Sequence, residues 1–275
     1  MLKAVFTDMD GTLLTPAHTI SEPTKQIVRH LIQNGIPVIP ISARPLHGML
    51  PITETVFPEE IPIVSLNGSY IWQHGKVVHR LDIPLEEVKA VYEIAAAHPV
   101  CSMYYNQMNW YAHADTPAIR KEQKITPIPV TIDAFSNTLQ QWQTANSSAN
   151  KILMAGDEAV ILELEQELLE KIGTRLNISK SQPRYVEAMH PDASKTNAMQ
   201  LIMDQYGWEA NEVLAIGDNY NDAGMIAFAG TGVVMDNAPD DLKPIADFIT
   251  ASNEQDGVAK ALAHFFADQI AFRPL

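Results

Sequence analysis

At 275 residues the chain is long enough for a sizeable hydrophobic core and sits near the length at which chains divide into two domains. Its 19 basic against 33 acidic side chains, a net charge of −14, disfavour sequence-independent attraction to nucleic acid or to an anionic membrane. No apolar run approaches the roughly 18 residues of a transmembrane helix, the N-terminus leads straight into an apolar strand with no room for a signal peptide, and the single Cys101 excludes an intrachain disulfide, so a cytoplasmic protein is expected.

The short run Ala4-Val5-Phe6 predicts a strand, with Asp8-Met9-Asp10-Gly11-Thr12 at its mouth. Strand side chains alternate faces, so Asp8 and Asp10 point the same way and can share one reaction centre. A helix is predicted over residues 23–34, capped by Ser21 and stopped at Gly35, followed by a strand over 36–41 that ends on Ser42-Ala43-Arg44. A further run, Ile63-Val64-Ser65-Leu66, leads into Asn67-Gly68, and a hairpin follows over 71–81. This alternation predicts a parallel sheet with helices on both faces, whose ligands gather at the carboxyl ends of the strands.

Between about residues 82 and 189 the texture changes to helix, then short strands rich in Tyr, Trp and Met, then helix again. Leu85, Val88, Tyr92 and Ala95 share one helical face; Val160, Leu164, Leu168 and Ile172 share another, ending at Gly173. Pro127, Pro129 and Asn146-Ser147-Ser148 mark loops. No motif with catalytic spacing occurs in this stretch. The expected architecture is therefore a doubly wound α/β core, discontinuous over 1–81 and 190–275, carrying an inserted α/β cap over 82–189. From Ser194 the βα texture returns: a helix over 196–206, the run Val213-Leu214-Ala215-Ile216, the acidic turn Gly217-Asp218-Asn219-Tyr220-Asn221-Asp222, a strand over 231–235 and a last helix around 258–268.

If the strands behind Asp8 and Asp218 lie side by side, the four carboxylates of Asp8, Asp10, Asp218 and Asp222 converge on a small volume, which is tolerable only around a cation. Oxygen-only ligands suit a hard divalent ion, and Mg²⁺ is expected. Asp222 would support the ion directly or through water, and the Asn221 amide can bond a phosphate oxygen without adding repulsion. In so acidic a chain, a phosphate site must be built from local positive charge: the metal, Lys195, Arg44 and backbone N–H groups. The nine histidines show no HxH or HExxH spacing, so a zinc site is not expected. Ser42 standing alone would read as a helix N-cap. Arg44 fits a surface salt bridge as well as a phosphate ligand, and Asn67 fits a turn as well as a substrate contact.

DMDGTL, Ser42, Lys195 and GDNYND, in that order across nearly the whole chain, resemble the haloacid dehalogenase (HAD) superfamily of phosphohydrolases, in its Cof-type branch with a large C2B-type cap on a Rossmann-like core. Asn67-Gly68 and the stretch from Asn253 to Val258 resemble that branch too. The resemblance implies that Asp8 is a metal-binding nucleophile forming an aspartyl-phosphate. It makes Asp10 the acid and then the base, with its backbone carbonyl on the metal. Ser42, Ala43, Arg44 and Asn221 would bind the phosphoryl group, and Lys195 would neutralise charge shared between it and Asp8. The pattern departs from the family at Asp192 and Thr196, where glycines are usual.

The activity so implied is Mg²⁺-dependent hydrolysis of small phosphorylated metabolites, sugar phosphates or a phosphorylated cofactor. A phosphomutase is the nearest alternative, since the same intermediate can pass to a substrate hydroxyl. A non-catalytic phospholigand-binding protein would not require a nucleophile paired with an acid, and a dehalogenase would need neither Asp10 nor Mg²⁺. No motif specifies an oligomeric state.

Overall fold

The computed structural model describes residues 1–125 and 128–268; Pro127, expected in a loop, lies outside them. The chain forms two units, one of Met1–Arg44, Met49–Val78 and residues from Ser194 onward, the other of Pro45–Gly48 and His79–Ala193.

The first unit is built on an eight-stranded sheet. From one edge to the other run Phe248–Thr250, Thr231–Met235, Val213–Gly217, Ala4–Asp8, Val38–Ile41, Ile63–Ser65, Tyr70–Gln73 and Lys76–Arg80. The first six are parallel and Tyr70–Gln73 is antiparallel to its neighbour. Ala4–Asp8 and Val213–Gly217 are buried along their whole lengths, as central strands covered on both faces must be. The helix expected over 23–34 is Glu22–Gln33; the Ser21 hydroxyl accepts from the Thr24 N–H at 3.4 Å, and Gly35 turns the chain away with φ +79°. The following strand begins at Val38, not residue 36: Ile36 is still tied back to Leu31 by its N–H, and Pro37 has no N–H to give.

The second unit carries a six-stranded sheet in the order Asn177–Gln182, Tyr185–Met189, Lys151–Ala155, Cys101–Asn106, Asn109–Ala112, Thr131–Ile132, antiparallel except for the last pair. Alternation along these strands sends Tyr104, Ile152, Met154, Val186 and Ala188 into a core shared with the helices Leu85–Ala96, Phe135–Ala145 and Glu158–Ile172. Intervening residues take the opposite face by the same period. There the Lys151 Nζ stands 3.3 Å from Glu187 Oε1, with Tyr105 stacked on Trp110 beside it. Cys101 is half-buried and accepts a hydrogen bond from Thr116.

Candidate active site

The central strand explains the convergence. Thr7 pairs with Ile216 on one side and Asp8 with Ile41 on the other, so the residues that follow these three strands emerge together at one sheet edge. Carboxylate oxygens of Asp8, Asp218 and Asp222 lie within 4.8 Å of one another. Lys195, the first residue of the helix Lys195–Tyr206, reaches into this cluster and donates from Nζ to Asp8 Oδ1 and, at 2.5 Å, to Asp222 Oδ1. Lys195 is 1% exposed, Asp222 0% and Asp8 5%.

Such crowding requires that the backbone come close. A Cβ on Gly11 would stand 2.2 Å from Asp218 Oδ2, and one on Gly217 would stand 2.4 Å from Asp222 Cβ, so neither position tolerates a side chain. Gly224 shows how Thr196 is accommodated. A Cβ there would meet Thr196 Oγ1 at 2.4 Å, so the missing methyl on one element makes room for the threonine on the other.

Asp222 acts as a brace. Its Oδ2 accepts the N–H groups of Asp218 and Asn219, each at 3.0 Å, while Oδ1 faces Lys195. Asp218 is half-buried and oriented from two sides: Thr12 Oγ1 donates to Oδ1 at 2.7 Å and Asn237 Nδ2 approaches Oδ2 at 3.3 Å. Asn237 also donates to the Gly11 carbonyl at 2.8 Å and is held by the Asn253 N–H. Sequence reasoning assigned Thr12, Asn237 and Asn253 no role. The signal for Asn237 was its place just beyond the strand Thr231–Met235, on the edge where the other site residues emerge.

Asp10 stands apart from this carboxylate cluster. Its two oxygens are gripped by one guanidinium, Arg44 Nε to Oδ2 at 2.6 Å and Nη2 to Oδ1 at 2.5 Å, and Arg44 also contacts His18 Nδ1 at 3.0 Å. Arg44 thus lies in the site region, but on Asp10. Ser42, 1% exposed, uses its hydroxyl to accept from the Arg44 N–H at 3.1 Å; it caps its own loop and not the helix, which begins only at Leu46. Ala43 sits between them on that loop. Asn221 is exposed and donates through Nδ2 to Asn67 Oδ1 at 3.1 Å.

Burial by itself would lower the Lys195 pKa, but the facing carboxylates of Asp222 and Asp8 outweigh it and hold the ammonium charged. Burial pushes Asp8 well above the usual carboxylate range, with Asp222 and Asp218 adding to the effect against Lys195. Asp218 is pushed up to about 6, again chiefly by burial. Three carboxylates, when ionised, against one ammonium leave a surplus of two negative charges, and their mutual repulsion adds to the effect of burial. The donor set is all oxygen and short of positive charge by the charge of one divalent cation, so the residues present fit such an ion.

The model of the haloacid dehalogenase-like hydrolases matches residues 5–262. The chain belongs to this family. It falls in the Cof-type branch expected from its four motifs. A Haemophilus influenzae protein named "Putative phosphatase" is 35% identical over 98% of this chain and 100% of its own length. A Bacillus subtilis 5-amino-6-(5-phospho-D-ribitylamino)uracil phosphatase is 28% identical over 96% of each chain. Among solved structures, a haloacid dehalogenase-like hydrolase from Bacteroides thetaiotaomicron superposes with TM-score 0.87 at 28% identity, covering 97% of this chain and 100% of that one. The protein is an enzyme, a HAD-like phosphatase with a parallel-sheet core and an inserted cap domain. HAD-family enzymes generally use a divalent metal, and the Asp8, Asp218 and Asp222 cluster supplies suitable ligands. Among the described residues no helix is long and apolar enough to cross a membrane.

Proposed function

We propose that the enzyme hydrolyses small phosphorylated metabolites, sugar phosphates or a phosphorylated cofactor, through an aspartyl-phosphate on Asp8, with Mg²⁺ held by Asp8, Asp218, the Asp10 backbone carbonyl and, directly or through water, Asp222. The observation that carries this reading is the single buried ammonium of Lys195 set among three carboxylates. Bound Mg²⁺ would screen the repulsion between the Asp8 carboxylate and a doubly anionic phosphate monoester. An Asp8 oxygen attacks phosphorus and the ester oxygen leaves, taking a proton from the Asp10 carboxyl. Asp10 then accepts a proton from water as that water attacks the phosphoryl group, which releases inorganic phosphate and restores Asp8.

Lys195 and the Ser42-Ala43-Arg44 loop take the phosphoryl charge, with Asn221 as a neutral donor. Arg44 exchanges partners in this scheme: it holds Asp10 in the free enzyme and releases it when the substrate phosphate competes for the guanidinium. The Bacillus relative named for a phosphorylated ribityl-pyrimidine supports a polyol phosphate as a substrate class, and the residues 82–189 would read the leaving group. The reading is tested by phosphate release across a panel of sugar phosphates, phosphorylated cofactors and nucleotides, with and without Mg²⁺. Turnover of several small monoesters with Mg²⁺ and none in EDTA is expected; full activity in metal-free buffer overturns the cation, and a requirement for a hexose bisphosphate points to a phosphomutase.

A further inference from the structure

Three consecutive residues, Leu66, Asn67 and Gly68, hold left-handed backbone with φ +51°, +53° and +97°. Glycine adopts this freely, whereas leucine and asparagine do so at a cost in free energy that their surroundings must offset. The hydrogen bonds that hold the run end on the candidate site. The Asn67 N–H donates to the Ser42 carbonyl and the Leu66 N–H to the Arg44 carbonyl, both at 2.9 Å. Gly68 lies so close to the Ser194 carbonyl, next to Lys195, that a Cβ would stand 2.4 Å from it. The Asn67 side chain, 8% exposed, accepts from the Asn221 amide at 3.1 Å. One strained turn therefore touches three separate site segments, around residues 42–44, 194–195 and 221.

We infer that Asn67 is a positioning residue for phosphoryl binding: its Oδ1 anchors one N–H of the Asn221 amide and so presents the other to a phosphoryl oxygen, while its backbone holds the Ser42 loop. The inference rests on the reading of Asn221 as a phosphoryl ligand. An exposed asparagine amide on a surface turn rotates freely, and a freely rotating donor gives up orientation when it binds. Asn67 removes that freedom. A turn alone would need only the left-handed backbone, which glycine supplies as well; the side-chain oxygen is what the second asparagine uses.

The test is a double-mutant cycle of Asn67→Gly and Asn221→Ala, read by inorganic phosphate as a competitive inhibitor of p-nitrophenyl phosphate hydrolysis and by melting temperature. Glycine keeps the left-handed φ without strain, so Asn67→Gly is expected to melt at or above the parent temperature. It is expected to raise the phosphate inhibition constant and KM by about tenfold with a smaller effect on kcat, and Asn221→Ala is expected to do the same, with no further loss in the double variant. Effects that multiply in the double variant, or phosphate affinity within about twofold of the parent in Asn67→Gly beside a clear loss in Asn221→Ala, overturn the inference. Unchanged phosphate affinity in Asn221→Ala removes Asn221 as a ligand and the inference with it, while the aspartyl chemistry, tested separately at Asp8, still stands.

Discussion

Each unit of the molecule buries a lysine, and the two are handled in opposite ways. In the inserted unit Lys151 faces Glu187, both side chains 6% exposed, and its ammonium lies 5.3 Å from the centre of the Tyr105 ring. There the Lys151 ammonium is paired with the Glu187 carboxylate. In the catalytic unit Lys195 faces Asp8 and Asp222 together, with Asp218 in the same cluster. A matched buried pair is a packing solution whose desolvation cost is largely offset by its own attraction. A surplus of buried carboxylate is not balanced by the one ammonium of Lys195, and it is this imbalance that marks the second site as one suited to receive positive charge. Burial of a lysine alone would have pointed equally to both.

The largest expected effect comes from removing the nucleophile. Asp8→Asn is expected to lower phosphate release on the order of 10⁴-fold or more, and near-normal release would end the covalent mechanism. Its effect on stability sharpens the contrast between the two lysines: in EDTA, Asp8→Asn is expected to raise the melting temperature or leave it unchanged, because the amide removes one of the surplus charges. Glu187→Gln strips Lys151 of its facing carboxylate and is expected to destabilise by about 3–5 kcal/mol, measured by urea denaturation. Replacing both partners, Lys151→Met with Glu187→Leu, is expected to recover most of that loss. Equal destabilisation by Asp8→Asn and Glu187→Gln in EDTA would erase the distinction.

Metal exchange probes the imbalance directly. EDTA is expected to silence the enzyme and Mg²⁺ to restore it, with Ca²⁺ a poor substitute because it prefers more ligands and longer bonds. Mg²⁺ is expected to raise the melting temperature of the wild-type protein and to have much less effect on Asp218→Asn. A calorimetric scan that shows the same Mg²⁺ shift in both proteins would move the ion elsewhere.

The smallest effect is in pH. With no cation, Asp218 takes up its proton near pH 6 instead of 3.8. A carboxylate whose native pKa lies above its unfolded value makes the native state bind more protons, so its contribution favours folding most below about pH 4 and is lost as the pH rises through about 6. Denaturation in EDTA is therefore expected to show Asp218→Asn gaining stability over wild type between about pH 4 and 6. Saturating Mg²⁺ is expected to reverse the wild-type trend over that range, since protons then compete with the ion. An identical pH slope in the two proteins without metal would show that the Asp218 carboxyl is not strained by burial.

The convergence of Asp8, Ser42 and Asp218 was legible in the chain because each follows an apolar run, and parallel strands that alternate with helices place such ends on one edge. The helix Glu22–Gln33 was legible for equally local reasons, a serine cap at its start and a glycine after its end. The grip of Arg44 on Asp10 was not, since an arginine on a loop carries no mark of which nearby anion it will choose. Nor was the hydrogen bond from Asn237 to Gly11, whose partners lie 226 positions apart in the chain. The left-handed run at Leu66 and Asn67 is likewise contrary to local preference, leucine above all. Apolar periodicity and turn chemistry act over a few residues and are written in their order. The choice among polar partners, and the strain a turn will bear, depend on which distant groups the packed sheet brings within about 3 Å, a distance at which hydrogen bonds are made or lost.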